Sequence, residues 1–219
     1  MVSYSHRIKL FAAGLAATAG FVDATGFLKL GGFFVSFMSG NTTRLAVGVA
    51  QGTSSAGVAG GLIVTFVLGV ILGTHTGHCF HKKRAAAILS CVSLLLALGA
   101  CLGAMDFPLG AVVVMTLAMG ATNAVFAQDG EVRIGLTYMT GTLVKIGQGL
   151  ATAIIGGDPL AWWPYVLLWS GLASGAVAGA LIYPHLGLND LWLPAIATAL
   201  LAITAAQTEF EISVSTPPN

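Results

Sequence analysis

Two short polar stretches lie inside otherwise apolar segments, and their side chains could bind a solute within a membrane. The stretch at residues 36–51 recurs as residues 137–152, 101 positions later, with four identical residues. Hydroxyl and amide groups orient a solute by hydrogen bonds, and a matched pair of cations favours an anion. We predict a substrate-binding site formed by Asp23, Ser39, Asn41, Thr42, Thr43 and Arg44 from the first half, and by Asn123, Thr140, Thr142 and Lys145 from the second.

The charged members of this set have two interpretations each. Arg44 and Lys145 occupy matching places. They either hold an anionic substrate or snorkel, with the stem buried and the charged end at the membrane surface. Asp23 is matched by the uncharged Asn123, so its carboxylate either carries protons or neutralises Arg44. The sequence leaves both pairs of interpretations open.

The elements that must position these side chains are membrane helices. Hydrophobic residues form 56% of the chain and charged residues 8%, and the mean hydropathy is +0.89, unlike the composition of a soluble domain. About 20 apolar residues span the hydrocarbon core of a bilayer. We therefore predict an all-α integral membrane protein with apolar segments at residues 8–28, 33–51, 57–78, 85–105, 108–127, 136–156, 161–183 and 190–208.

The positive charges beside these segments predict two homologous halves arranged as inverted repeats. Lys and Arg are in excess in cytoplasmic loops, which favours the cytoplasmic side for Arg7, Lys9 and residues 82–84. Three full crossings between the two clusters would separate them. A re-entrant hairpin or broken helix at residues 30–51 removes the conflict, and such backbone is tolerated where it lines a watery cavity. Each half then has three transmembrane helices and one re-entrant element, and the second half starts from the opposite face.

Eight full spans in two parallel halves of four are the alternative topology. It would place residues 82–84 outside if the N-terminus is inside. The domain boundaries are the same in both topologies. We predict a first membrane repeat at residues 1–105, a second at residues 106–208 and a disordered C-terminal tail at residues 209–219.

A recurring glycine pattern supports the duplication. Gly69, Gly73 and Gly77 are spaced four apart, and the same spacing returns at Gly171 and the two positions that follow it, 102 residues later. Glycines at this spacing form a groove that lets another helix approach closely. We expect them to pack the two halves together, or one subunit on another.

The first polar region resembles a known family. The residues from Gly20-Phe-Val-Asp23 to Ser39-Gly-Asn-Thr-Thr43 resemble the signature of the YoaK family, bacterial multi-pass membrane proteins classed under a domain of unknown function. Residues 137–142 resemble the second-half motif of that family. The resemblance covers essentially the whole chain and implies a multi-pass protein of the bacterial inner membrane, without a substrate. Residues 128–131 differ, because Gln, Asp and Glu stand where the family pattern has basic residues.

The matched polar stretches predict a small-molecule transporter or channel, with an anion as one option for its substrate and a site between the two repeats. An intramembrane enzyme, and a membrane scaffold protein that packs through Gly-x-x-x-Gly faces, are the alternatives. The chain has no phosphate-binding glycine loop, zinc-protease helix motif or nucleophile elbow. We therefore expect no enzyme, no catalytic residues and no cofactor.

The expected partners are the lipid bilayer and a small-molecule substrate, and a homo-oligomer stays open. A net charge of +1 gives no reason to expect nucleic acid. His75, His78, Cys79 and His81 have a spacing that could place metal ligands on one helix face. The cationic residues 82–84 would repel a metal ion, so this cluster reads as an interfacial helix end and we expect no metal.

Overall fold

A computed structural model describes residues 5–128, 131–132 and 134–207 of the 219-residue chain. The predicted tail at residues 209–219 lies outside the described residues, and so does part of the loop at residues 128–133. Each predicted apolar segment contains one helix. The helices are α1 (His6–Lys29), α2 (Met38–Gln51), α3 (Ser55–Cys79), α4 (Arg84–Ala104), α5 (Pro108–Thr122), α6 (Met139–Ile154), α7 (Trp163–Leu186) and α8 (Trp192–Gln207).

The described chain contains little regular structure besides these helices. Short 3-10 turns precede α4 at His81–Lys83 and α8 at Gly187–Leu191. After α5, β1 (Ala127–Gln128) pairs antiparallel with β2 (Glu131–Val132). Strands of two residues are too short to leave an alternating sequence pattern, so this small ladder was not predicted.

The helix ends follow local sequence signals. At the start of α1, the side chain of Ser5 accepts a hydrogen bond from the backbone N–H of Ile8 at 3.4 Å. Pro108 is the first residue of α5. It has no backbone N–H, but the first N–H groups of a helix have no partner within the helix, so no helical hydrogen bond is lost. Gly52 ends α2 with a φ of 63°, a left-handed conformation that glycine adopts without strain.

Four segments are long and apolar enough to cross a membrane: His6–Lys29, Ser55–Cys79, His81–Ala104 and Trp163–Gln207, the last of which contains both α7 and α8. Helix α5 is a shorter apolar helix. A helix of 24 residues is about 36 Å long, which covers a hydrocarbon core of about 30 Å. The prediction of an all-helical membrane protein is confirmed.

The glycine rows pack the two halves against each other. Gly69 and Gly73 of α3 lie against Leu117 and Ala121 of α5, and a Cβ added to Gly73 would be 2.6 Å from the carbonyl oxygen of Ala121. On α7, the matching row from Gly171 to Gly179 lies against the backbone of α1 between residues 13 and 21. In both pairs the contacts advance in the same direction along the two helices, so α3 runs parallel to α5 and α7 runs parallel to α1.

The other contacts between the halves join helices that run in opposite directions. Ser93 of α4 donates a hydrogen bond to the carbonyl oxygen of Ala195 in α8 at 2.8 Å, and Gly103 further along α4 lies against Leu188 in the 3-10 turn before α8. Helices α1 and α5 also run antiparallel. Gly26, near the C-terminal end of α1, lies beside Met115 of α5, and Phe11, near the start of α1, contacts Phe126 after the end of α5. The buried core lies along these contacts.

Helices α2 and α6 are too short to cross the hydrocarbon core alone. They have 14 and 16 residues, which gives lengths of about 21 and 24 Å. Each returns as an antiparallel hairpin against the next helix, with Gly48 of α2 against Ser55 and Ala56, and Gly149 of α6 against Trp162. Both short helices therefore begin inside the protein and end near a turn.

Candidate functional site

The two copies of the polar stretch meet at one pocket of about 440 Å³. The residues before α2 and at its first turn face the corresponding residues of α6 across this space. The lining consists of Ser36, Phe37, Met38 and Ser39 from the first copy, Thr137, Tyr138, Met139, Thr140 and Gly141 from the second, and Phe66 of α3. Because Phe66 lies near the middle of α3, the pocket lies at about half the depth of the membrane helices.

The pocket receives the N-terminal ends of two helices. Helix α2 begins at Met38 and α6 at Met139, and neither of the preceding residues, Phe37 and Tyr138, caps its helix with a side-chain hydrogen bond. The first N–H groups of a helix have no partner within the helix, and the N-terminus carries a partial positive charge. The N–H groups of Met38 and Met139 donate to the carbonyl oxygens of Ser36 and Thr137, so what the two ends share is positive potential directed at the same space.

Asp23 holds the backbone that leads into α2. Its Oδ1 accepts hydrogen bonds from the backbone N–H groups of Val35 at 2.9 Å and Ser36 at 2.7 Å. The side chain is 4% exposed, so these bonds are shielded from water. Asp23 does not line the central pocket. It acts as a positioning residue that folds residues 30–37 back against α1.

Asn123 makes the corresponding contact in the second half. Its Oδ1 accepts a hydrogen bond from the hydroxyl of Thr137 at 3.2 Å, and its Nδ2 donates to the carbonyl oxygen of Met119 at 2.9 Å. Thr137 occupies the position that Ser36 occupies in the first half. The Asp23/Asn123 match in the sequence thus reflects a contact with equivalent residues in both halves, made to backbone N–H groups in the first and to a hydroxyl in the second.

Asn41 also holds the backbone that leads into α2. It is fully buried, its Oδ1 accepts from the N–H of Phe34 at 3.0 Å, and its Nδ2 donates to the carbonyl oxygen of Phe34 at 2.6 Å. Its counterpart Thr142 donates only to the carbonyl oxygen of Tyr138 at 3.2 Å, one turn earlier in the chain. The backbone of Phe34 is therefore held in the first half by an amide, where the second half has Thr142.

The two matched cations lie outside the central pocket and in different surroundings. The guanidinium of Arg44 lies over the ring of Phe33, 4.8 Å from its centroid. Lys145 lines a neighbouring pocket of about 210 Å³, together with Thr142 and Tyr165. The carboxylate of Asp23 and the guanidinium of Arg44 thus have separate partners, and the ion pair considered from the sequence is not formed.

The remaining predicted residues divide between pocket and surface. Ser39 and Thr140 line the central pocket. Thr42 and Thr43 are exposed, and their hydroxyls donate to their own helix, at the carbonyl oxygens of Met38 at 2.8 Å and Ser39 at 3.3 Å. Of the ten predicted residues, the structure therefore brings two to the central pocket and Thr142 and Lys145 to the adjoining one.

Several lining residues were missed by sequence reasoning. Ser36 and Thr137, and Phe37 and Tyr138, are matched pairs within the repeated stretch. Their conservative pairing was visible in the sequence, but the position of the helix start was not. Because α2 begins at Met38, residues 41–44 lie on later parts of the helix and only the first turn faces the pocket.

The histidine cluster lies at the end of α3. Sγ of Cys79 is 3.6 Å from Nε2 of His75, and the rings of His78 and His81 stand edge to face with centroids 5.6 Å apart. Within the described residues, no group of three or more His, Cys, Asp or Glu side chains could hold a metal ion.

Comparisons with known proteins identify a family and a transmembrane relative. The family described as "Protein of unknown function (DUF1275)" matches residues 11–204. The chain is 39% identical over 200 residues to UPF0700 transmembrane protein RA0705 of Rhizobium meliloti (strain 1021), covering 89% of this chain and 84% of that protein. No solved structure matches. The name YoaK is carried by neither comparison and stays a resemblance. The chain belongs to the DUF1275 family of proteins of unknown function.

Proposed function

We propose that this protein is a transporter or channel for a small solute, in which the central pocket between the two repeats binds a small anion. The observation that carries the proposal is that both copies of the repeated stretch line one pocket at mid-depth. Duplicated halves that meet in broken helices at the membrane midplane are typical of transporters. The volume of about 440 Å³ is in the range of small-molecule sites.

The pocket chemistry favours an anion over a cation. Two helix N-termini point their positive ends into it, and Ser39 and Thr140 add hydroxyl donors. Ser36 also lines the pocket, and its hydroxyl lies beside the carboxylate of Asp23.

The direction of the helices supports inverted repeats. The equivalent helices α1 and α5 run antiparallel, and so do α4 and α8. The two glycine-row contacts are also equivalent. Helix α1 contacts α7 of the other half, and its counterpart α5 contacts α3, which is the counterpart of α7. If α1 leaves the cytoplasm, α3 returns to it and residues 82–84 lie on the side of Arg7 and Lys9. Single cysteines at Lys83 and Asp106 test this, because an impermeant thiol reagent should label them from opposite sides of the membrane.

We infer that the chain is a multi-pass protein of the bacterial inner membrane, which its apolar helices and its transmembrane relative from a bacterium support. The glycine rows of α3 and α7 are covered by α5 and α1 within the chain, so they are not free to bind a scaffold partner. The described lining residues of the central pocket include no carboxylate, histidine or cysteine, which argues against an enzyme with its site there.

The decisive experiment is solute flux in proteoliposomes with a variant that fills the pocket. Gly141 lines the pocket and a Cβ added there meets no atom within 4 Å, so Gly141→Leu should fold while it occupies the passage. Gly147 on the same helix also faces open space but lines none of the pockets described above, so Gly147→Leu is a matched control.

Stopped-flow light scattering with formate, acetate, lactate and glycerol measures the flux. We expect anion flux in the wild type and in Gly147→Leu, and about a tenfold or larger loss in Gly141→Leu, equivalent to about 1.4 kcal/mol in the barrier. No flux of any anion above empty liposomes, or equal flux in both variants, would refute the proposal.

A further inference from the structure

A second pocket opens from the central one towards α7. Its volume is about 210 Å³, and it shares Tyr138 and Gly141 with the central pocket. It continues along the side of α6 past Thr142 to Lys145 and Tyr165. Because α6 runs away from the central pocket, this side pocket leads from mid-depth towards the face where α6 ends.

The first half lacks the corresponding space, because an aromatic ring fills it. Gly40 is the counterpart of Gly141, and a Cβ added to Gly40 would lie 2.9 Å from the ring of Phe34, whereas one added to Gly141 would meet no atom within 4 Å. The residue that corresponds to Phe34 in the second half is Gly135, which lines the side pocket. One Phe/Gly difference between the copies accounts for the asymmetry.

The ring of Phe34 is held firmly in place. Its centroid lies 5.0 Å from that of Phe27 and 5.7 Å from that of Phe37, and the amide of Asn41 binds both polar groups of its backbone. The aromatic contacts hold the ring, and the two hydrogen bonds hold its backbone. The space beside Gly40 is therefore filled by Phe34, whose ring also lines a separate cavity of about 540 Å³ against α1 and α7, and the space beside Gly141 is open.

The open pocket has the chemistry of an anion site. Lys145 is the single charged side chain among the described residues that line it, and Tyr138 and Tyr165 contribute hydroxyl groups, whereas the hydroxyl of Thr142 donates to the carbonyl oxygen of Tyr138. The matching cation of the first half, Arg44, lies over Phe33 instead. A lysine beside hydroxyl donors attracts carboxylate and other small anions.

We propose that the pocket around Lys145 is a second anion-binding subsite, through which a small anion passes between the central pocket and the cytoplasm, and that Phe34 closes the equivalent route on the outer side. The assignment of sides rests on the proposed function. The subsite itself holds a small carboxylate or inorganic anion. The Phe34/Gly135 difference then makes the protein open to one side only in this conformation.

Thiol reactivity tests the subsite without a known substrate. In a variant with Cys79, Cys91 and Cys101 replaced by alanine, Gly141→Cys is exposed to the anionic reagent 2-sulfonatoethyl methanethiosulfonate and to its cationic trimethylammonium analogue. We expect reaction from the cytoplasmic side and a preference for the anionic reagent. Adding Lys145→Gln should lower the ratio of anionic to cationic rates by about tenfold, because the local positive charge is removed.

The matched first-half probe is Gly40→Cys. It should react with neither reagent from either side while Phe34 is present, and it should become reactive from the outer side in the Phe34→Gly background. If Gly40→Cys clashes and loosens the ring, Gly135→Phe combined with Tyr138→Ala provides an independent test, because a Cβ at Gly135 would otherwise contact the ring of Tyr138. The added phenylalanine should close Gly141→Cys to both reagents.

The outcomes separate this proposal from the broader one. An unchanged rate ratio in Lys145→Gln would make Lys145 an interface anchor and overturn the subsite, even if anion flux persists. Equal reactivity of Gly40→Cys and Gly141→Cys would overturn the closure by Phe34. Selective thiol labelling without flux in proteoliposomes would preserve the subsite and refute transport.

Discussion

Replacing Asp23 by alanine should destabilise the protein strongly, because two buried N–H groups would lose their acceptor. The carboxylate accepts from Val35 at 2.9 Å and Ser36 at 2.7 Å, and these two residues are 0% and 3% exposed. A buried donor without a partner costs about 1–3 kcal/mol, so the two together should cost about 2–6 kcal/mol. This is a large share of a typical unfolding free energy of about 5–15 kcal/mol.

Asp23→Asn should be much milder. The amide keeps an oxygen where Oδ1 lies, and asparagine already occupies the matching position, Asn123, in the second half. Bonds to a neutral acceptor are weaker by about 1 kcal/mol each, so a loss of about 2 kcal/mol or less is expected. The comparison separates the role of the acceptor oxygen from that of the charge.

The assay is reversible unfolding in mixed detergent micelles, followed by tryptophan fluorescence. Asn123→Ala is a matched control, since it removes one hydrogen bond from Thr137, at 3.2 Å, together with a bond to its own helix. It should cost about 1 kcal/mol. If Asp23→Asn and Asp23→Ala lower the free energy of unfolding equally, the positioning role of the carboxylate oxygen is refuted. The charge of Asp23 would then be the property that matters. An unaffected Asp23→Ala variant would refute the hydrogen-bond argument altogether.

The packing between the halves and the separation of two charges can be tested in the same assay. Gly73→Leu should lower the free energy of unfolding by at least about 1–3 kcal/mol, because its Cβ would be 2.6 Å from the carbonyl oxygen of Ala121. Gly61→Leu is the control, since Gly61 lies on the open side of α3 and its substitution should be nearly neutral. An equal loss in both variants would contradict the packing argument. Asp23→Asn and Arg44→Gln should have additive effects within about 0.5 kcal/mol, since the two side chains have separate partners. A coupling free energy well above this would indicate an ion pair.

The helices and their duplication could be read from the sequence because the signals are local or recur. Apolar length and charge-poor composition predict membrane helices directly. The glycine rows at Gly69 and Gly171 predict close helix contacts, and the structure places both rows between the halves. The sequence could not decide between contacts within one chain and contacts between subunits, because the same groove serves either.

The candidate site was predicted less completely, for two physical reasons. The residues that face the pocket depend on where α2 begins, and a shift of one turn separates Ser39 at the pocket from Thr43 on the surface. The partner of Asp23 depends on the return of residues 30–37 onto α1, which is a tertiary contact without a local sequence pattern. A carboxylate near an arginine suggests an ion pair, but two backbone donors lie closer to Asp23 in the fold.

The exchange of helices between the halves has a consequence for biosynthesis. During synthesis α3 leaves the ribosome before α5, and α1 leaves long before α7. The glycine row of α3 and the face of α1 that contacts α7 are therefore exposed to lipid until their partner helices have been made. The first 105 residues alone therefore cannot bury the groove of α3 or the matching face of α1. Under the proposed inverted topology, a half-length ancestor would have needed a second copy inserted in the opposite orientation, and joining the two copies in one chain fixes their ratio at one to one.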